Sequence, residues 1–129
     1  MNNKLKRPIS PHLTIHKKVQ TALLSILHRA TGILLSIGTV FLVLWLFLLA
    51  IGEQYFELLY FFYDNALFNI ILFLWSFAIL YHLINGLRYL IWSIGYGIEL
   101  NNVHRTGYLV LFITLLSTTL LWLTALDII

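Results

Sequence analysis

Three long apolar runs, each about the length of a bilayer crossing, limit what this 129-residue chain can become. A hydrocarbon core about 30 Å thick takes roughly 20 helical residues at ~1.5 Å rise each. The first run extends from about Gly32 to Ile51, behind a less apolar helical lead-in from Thr21. The second runs from about Leu67 to Trp92, broken near its end by His82, Asn85 and Arg88, and the third from about Tyr108 to Leu126. The connections GEQYFELLYFFYDN and SIGYGIELNNVHR carry turn-type Gly and Asn, and short connections join antiparallel neighbours. The expected fold is therefore all-α: an integral membrane chain with three transmembrane helices in an up-down-up bundle. The helices are expected at about 21–51, 66–92 and 106–127, in a single membrane domain 1–129 whose residues 1–20 form an N-terminal segment outside the bilayer.

Composition excludes the main alternatives. Hydrophobic residues make up 60% and charged residues 10% of the chain, against ~45–50% and ~25% in soluble domains. A soluble protein this small has too little interior for so much apolar surface. Cysteine is absent, which removes a disulfide framework, a thiolate metal site and a thiol nucleophile. The net charge of +3 is small, and nothing in the pattern suggests nucleic acid.

The placement of charge gives the direction. Lys4, Lys6, Arg7, Lys17, Lys18 and Arg29 precede or open the first span with no acid among them. Glu53, Glu57 and Asp64 lie in the first connection, Arg88 and Arg105 flank the second beside Glu99, and Asp127 follows the last span. The positive-inside rule then puts the N-terminus on the cytoplasmic (or matrix) face and the C-terminus outside. Lys4, Lys6, Lys17 and Lys18 are read as contacts to anionic headgroups, and Tyr60, Phe61, Phe62 and Tyr63 as an interfacial aromatic belt. No cleavable signal peptide is expected, because the first apolar run begins late and is too long for an h-region. The absence of an obvious transit peptide points to a bacterial inner membrane, with a mitochondrial inner membrane as the alternative.

Polar side chains inside spans are costly and seldom idle. On the second span His82, Asn85, Gly86 and Tyr89 recur at helical spacing, extended by Ala78 and Trp75. Ser25, His28, Gly32, Ser36 and Thr39 do the same on the first, with Arg29 beside them. These stripes can face one another across antiparallel helices, and their small residues permit close approach or leave space for a planar ligand. An intramembrane imidazole suits axial ligation of heme iron, with Arg29, Arg88 and His28 available to neutralise propionates. It equally suits a helix–helix hydrogen bond, and the residues alone leave both open. Asn85 reads as interhelical glue. Ser25 and Arg29, four apart, form a donor pair for a quinone carbonyl, or else a serine bonding its own helix and an arginine snorkelling to headgroups. His12, His16 and His104 are read as surface residues, and HLTIH is a weak metal-pair signal beside Pro8 and Pro11.

The same residues resemble the cytochrome b membrane-anchor subunit of succinate dehydrogenase, respiratory complex II. RPISPHLTIHKKVQTALLSILHRATG is similar to that family's opening signature, in Arg7-Pro8, Ser25, His28, Arg29, Thr31 and Gly32. HLINGLRYLIWSIG is similar to its second, in His82, Gly86, Leu87, Arg88 and Trp92. This chain departs at Tyr89, where the family has His or Phe, and at Ser93, where it has Asp. The resemblance implies heme b shared with a second small membrane-anchor subunit. His82 would be this chain's axial ligand to the iron, with His28 and Arg29 near the propionates. Ser25 and Arg29 would line a ubiquinone site beside an iron–sulfur subunit, itself fed by an FAD flavoprotein that oxidises succinate. It thus implies a membrane-anchoring, electron-passing chain with no catalytic residue of its own. Fumarate reductase anchoring, a heme held by His28 and His82 of one chain, and a heme-free structural subunit are the alternatives. A lone transporter is disfavoured, since no inverted repeat is visible.

Overall fold

The computed structural model describes residues 20–126, apart from the side chains of Phe56, Leu59 and Tyr63. Lys4, Lys6, Arg7, Pro8, His12, His16, Lys17, Lys18 and Asp127 lie outside the described residues. The described chain is all-helical: α1 Gln20–Ile51, a short 3-10 turn Glu53–Tyr55, α2 Phe56–Tyr63, α3 Ala66–Ser93 and α4 Leu100–Ala125. Three of these, α1, α3 and α4, are long and apolar enough to cross a membrane. At 32, 28 and 26 residues they outrun a ~30 Å core by roughly two to three turns.

Local chemistry fixes the ends. Gly52, at φ +147°, stops α1. Asn65 caps α3, its Oδ1 accepting from the backbone N–H of Leu67 (2.9 Å) and Phe68 (3.3 Å). At the other end Gly95, at φ +87°, donates to Trp92 O and Tyr96 donates to Ile91 O. That is a Schellman closure, and it needs the left-handed conformation glycine adopts freely. Two segments read as connections are instead helical. The aromatic stretch before α3 forms α2, with Tyr60, Phe61 and Phe62 exposed. α4 begins at Leu100, before the expected start near 106, because Val103 N–H donates to Glu99 O and Arg88 holds the polar first turns.

α3 lies between α1 and α4, packing along both, and α1 meets α4 more briefly. That last contact falls at Gly107, whose bare Cα faces the side chains of Gln20 and Leu24. Leu24, Tyr81 and Val110 form the apolar centre, flanked by Phe77, Ile84 and Leu111. Tyr81 donates its hydroxyl to Leu24 O at 2.8 Å, tying α3 to α1. Toward the opposite end Trp122 Nε1 donates to Ser76 Oγ at 2.9 Å, tying α4 to α3.

The buried residues include Thr31, Asn85, Arg88, Thr114 and Thr118, while Leu, Ile, Val and Phe cover the outside. This inverts the pattern of a water-soluble bundle. In lipid the apolar exterior costs nothing and the polar groups are the ones that must be satisfied internally. Thr114 and Thr118 accordingly donate to Val110 O and Thr114 O, the carbonyls one turn back.

Candidate functional site

α1 and α3 meet by setting rings on glycines. The His28 ring lies over Gly86, the His82 ring over Gly32, and the Trp75 indole fills the space a Cβ of Gly38 would take. The antiparallel helices thereby bring His28 and His82 into a parallel stack, with ring centroids 3.9 Å apart and planes 13° from parallel. Tyr89 leans on His28 at 5.4 Å and meets Trp92 edge to face at 5.2 Å.

Hydrogen bonding orients His82. Its Nδ1 lies 3.1 Å from His28 O and 3.2 Å from Thr31 Oγ1. A carbonyl can only accept, so the contact with His28 O is a hydrogen bond when Nδ1 carries the proton, which in the neutral ring leaves the lone pair on Nε2. His28 Nδ1 is buried and has no partner among the described residues.

On α1 Ser25 stands three residues before His28 and Arg29 directly after it, Ser25 half-buried and Arg29 exposed. Thr31, Ser36 and Thr39 donate to carbonyls of their own helix. Ser25 makes no such bond among the described residues, so its hydroxyl remains available.

The second-span stripe divides. His82, Gly86 and Tyr89 face α1, but Asn85 is wholly buried with Tyr81 and Arg88. At ~100° per residue Asn85 stands ~60° from His82 toward α4, whereas Gly86 stands ~40° away on the opposite side. Asn85 therefore does not bridge to α1. Its Oδ1 accepts from Arg88 Nη1 at 3.3 Å on its own helix, and its Nδ2 has no partner among the described residues. Arg88 likewise turns from the histidines. It donates from Nε to Thr106 Oγ1 (3.0 Å) and from Nη2 to Val103 O (2.7 Å), and it lies 4.0 Å over the Trp92 ring. It is an interhelical clamp, not a free charge for propionates. Ser36 and Thr39 are exposed.

Ser93, which stands where the resembled family has Asp, is exposed and donates to Leu90 O at 2.7 Å. His104 is exposed, as read, with Nδ1 2.8 Å from Gln20 Oε1. Sequence reasoning gave Thr31 no role, although it lies at i+3 from His28, the spacing used for its neighbours.

Among the described residues no three His, Cys, Asp or Glu side chains converge on a metal-ion site. Heme iron asks less of one chain, a single axial nitrogen.

An all-helical chain with three helices long and apolar enough to cross a membrane defines a class: a small multi-pass membrane protein. Residues 3–121 match the family described as succinate dehydrogenase/fumarate reductase transmembrane subunit, and the chain belongs to that family. It is 44% identical over 117 residues to the succinate dehydrogenase cytochrome b556 subunit of Rickettsia typhi, covering 91% of each chain. It is 40% identical over 128 residues to the cytochrome b560 subunit of Reclinomonas americana, covering 95% of this chain and 89% of that one. The human mitochondrial b560 subunit is 38% identical over 114 residues, covering 87% and 68%. With bacterial and mitochondrial relatives and three apolar spans, this is a multi-pass inner-membrane protein.

Proposed function

We propose that this chain is the heme b- and ubiquinone-binding anchor of a succinate dehydrogenase, one membrane-anchor domain that helps pass electrons from succinate through an iron–sulfur subunit to quinone. The observation that carries the reading is His82, whose Nδ1 lies within hydrogen-bond distance of His28 O and Thr31 Oγ1, an arrangement that in the neutral ring leaves the Nε2 lone pair for a metal. His82 is the axial ligand from this chain, and a second small anchor subunit supplies the other. His28 and Arg29 serve the propionate edge; His28 Nδ1 has no partner among the described residues and, when protonated, can donate to a carboxylate. When bound, heme b supplies a one-electron carrier beside the quinone site.

Ser25 donates its uncommitted hydroxyl to a quinone carbonyl. Arg29 holds positive charge there as negative charge builds on the oxygen. The site lies at the end of the bundle that carries Arg29, Arg88 and Arg105, opposite Glu53, Glu57 and Asp64, and we assign that end to the cytoplasmic side. An iron–sulfur subunit, fed by an FAD flavoprotein, docks there. The succinate direction, over fumarate reduction, follows the names of the relatives.

His82→Ala tests the reading. Loss of the heme b bands from the reduced-minus-oxidised spectrum of the purified complex is expected. An unchanged spectrum would remove His82 as ligand and favour a heme-free structural role for this chain.

A further inference from the structure

Thr31 has a role that neither the stripe of polar residues nor the ligand assignment gave it. It is 8% exposed, on α1 and one turn from His28. Its hydroxyl lies 2.9 Å from both Leu27 O and His28 O. A hydroxyl has a single proton, and with two carbonyls at that range the proton is committed to the helix backbone. Toward His82 Nδ1, 3.2 Å away, Thr31 Oγ1 can then only accept. His28 O, 3.1 Å from the same nitrogen, can also only accept. Two acceptors converge on one nitrogen, so the reverse tautomer would set its lone pair against both.

The rest of the ring is confined as well. His28 covers one face at 3.9 Å, and Cε1 lies over Gly32, where a Cβ would come within 3.2 Å. Rotation of the imidazole is thus limited by packing, and its proton is placed by hydrogen bonds.

We propose that Thr31 is a positioning residue for His82: its hydroxyl accepts from Nδ1–H, holds the ring's tautomer and rotation, and so sets how firmly Nε2 binds heme iron. This rests on His82 being the ligand. Partners at the outer nitrogen of a ligating histidine typically change metal affinity about 10- to 100-fold when removed.

The experiment compares wild type, Thr31→Val, Thr31→Ser and His82→Ala in the purified complex. Val keeps the β-branched shape without the hydroxyl, and Ser keeps the hydroxyl. The readouts are heme transfer to a competing apoprotein acceptor, the heme midpoint potential and the position of its α-band. Thr31→Val is expected to release heme about tenfold faster and to move the potential and the band, whereas Thr31→Ser stays close to wild type. If Thr31→Val matches wild type in all three while His82→Ala loses heme, the inference is overturned and the ligand stands. If Thr31→Ser behaves as Thr31→Val, the hydroxyl is not the operative group and the inference falls. Should Val prevent assembly, the smaller Thr31→Ala carries the same comparison. Retention of heme by His82→Ala would instead remove the ligand assignment on which this rests.

Discussion

Ser25 and Arg29 illustrate how far a side chain's chemistry can be read before its surroundings are known. Their spacing of four predicted a shared edge, and the structure places them on one, Ser25 half-buried and Arg29 exposed. The competing expectation for Ser25 was a bond to its own helix. Thr31, Ser36 and Thr39 make that bond, and Ser25 does not among the described residues. Ser25→Ala is therefore expected to lower quinone reduction about 2- to 10-fold, the loss of one hydrogen bond worth roughly 0.5–1.5 kcal/mol. Arg29→Leu, which also removes the charge, should cost more. Succinate oxidation with an artificial dye should stay near wild type in both. Equal loss in the two assays would mean failed assembly and would remove these residues from the quinone site. His28 and His82 were equally legible, because each stripe set a histidine beside a glycine. Arg88 turns to α4 instead of the histidines, and Asn85 with it, because ~120° and ~60° of helical rotation from His82 decide which neighbour each meets, and that depends on where α4 packs.

Between helices, α1 and α3 are fitted through three ring-on-glycine contacts, and the three do not tolerate a methyl group equally. At Gly38 the half-buried Trp75 indole occupies the position of the added Cβ, so the ring would have to shift. At Gly86 a Cβ would meet His28 Cε1 at 3.6 Å, an ordinary contact. Gly38→Ala is expected to destabilise the extracted complex by about 1–3 kcal/mol through overpacking, seen as a lower midpoint of thermal unfolding in mild detergent. Gly86→Ala should leave that midpoint nearly unchanged, since alanine also favours the helix. Equal effects would show that these contacts do not set the helix approach. Helix extents were legible wherever apolar residues ran long, as in α1 and α3. The start of α4 was not, because Asn101, Asn102, His104 and Arg105 interrupt the apolar pattern. What makes that turn helical is Arg88 bonding Val103 O and Thr106 Oγ1, a tertiary contact with no local signature.

The bundle as a unit has an apolar exterior, a partly polar interior and a marked asymmetry between its ends. Arg29, Arg88 and Arg105 lie at the histidine end, and Glu53, Glu57 and Asp64 at the other. Three spans in up-down-up order were readable from run length alone, since lipid thickness and backbone satisfaction leave few other solutions. The stacking of the histidines was not, because it requires the register of α1 against α3. Lipid explains the exterior, and the proposed heme and quinone roles rest on the histidine end. The account therefore stands on whether a complex containing this chain passes electrons from succinate to quinone. The direct measurement is succinate-driven ubiquinone reduction by the intact assembly that co-purifies with the tagged chain in mild detergent, with and without a quinone-site inhibitor. Inhibitor-sensitive reduction is the predicted result. An intact assembly that does not oxidise succinate, or that reduces a dye but never quinone, would contradict it.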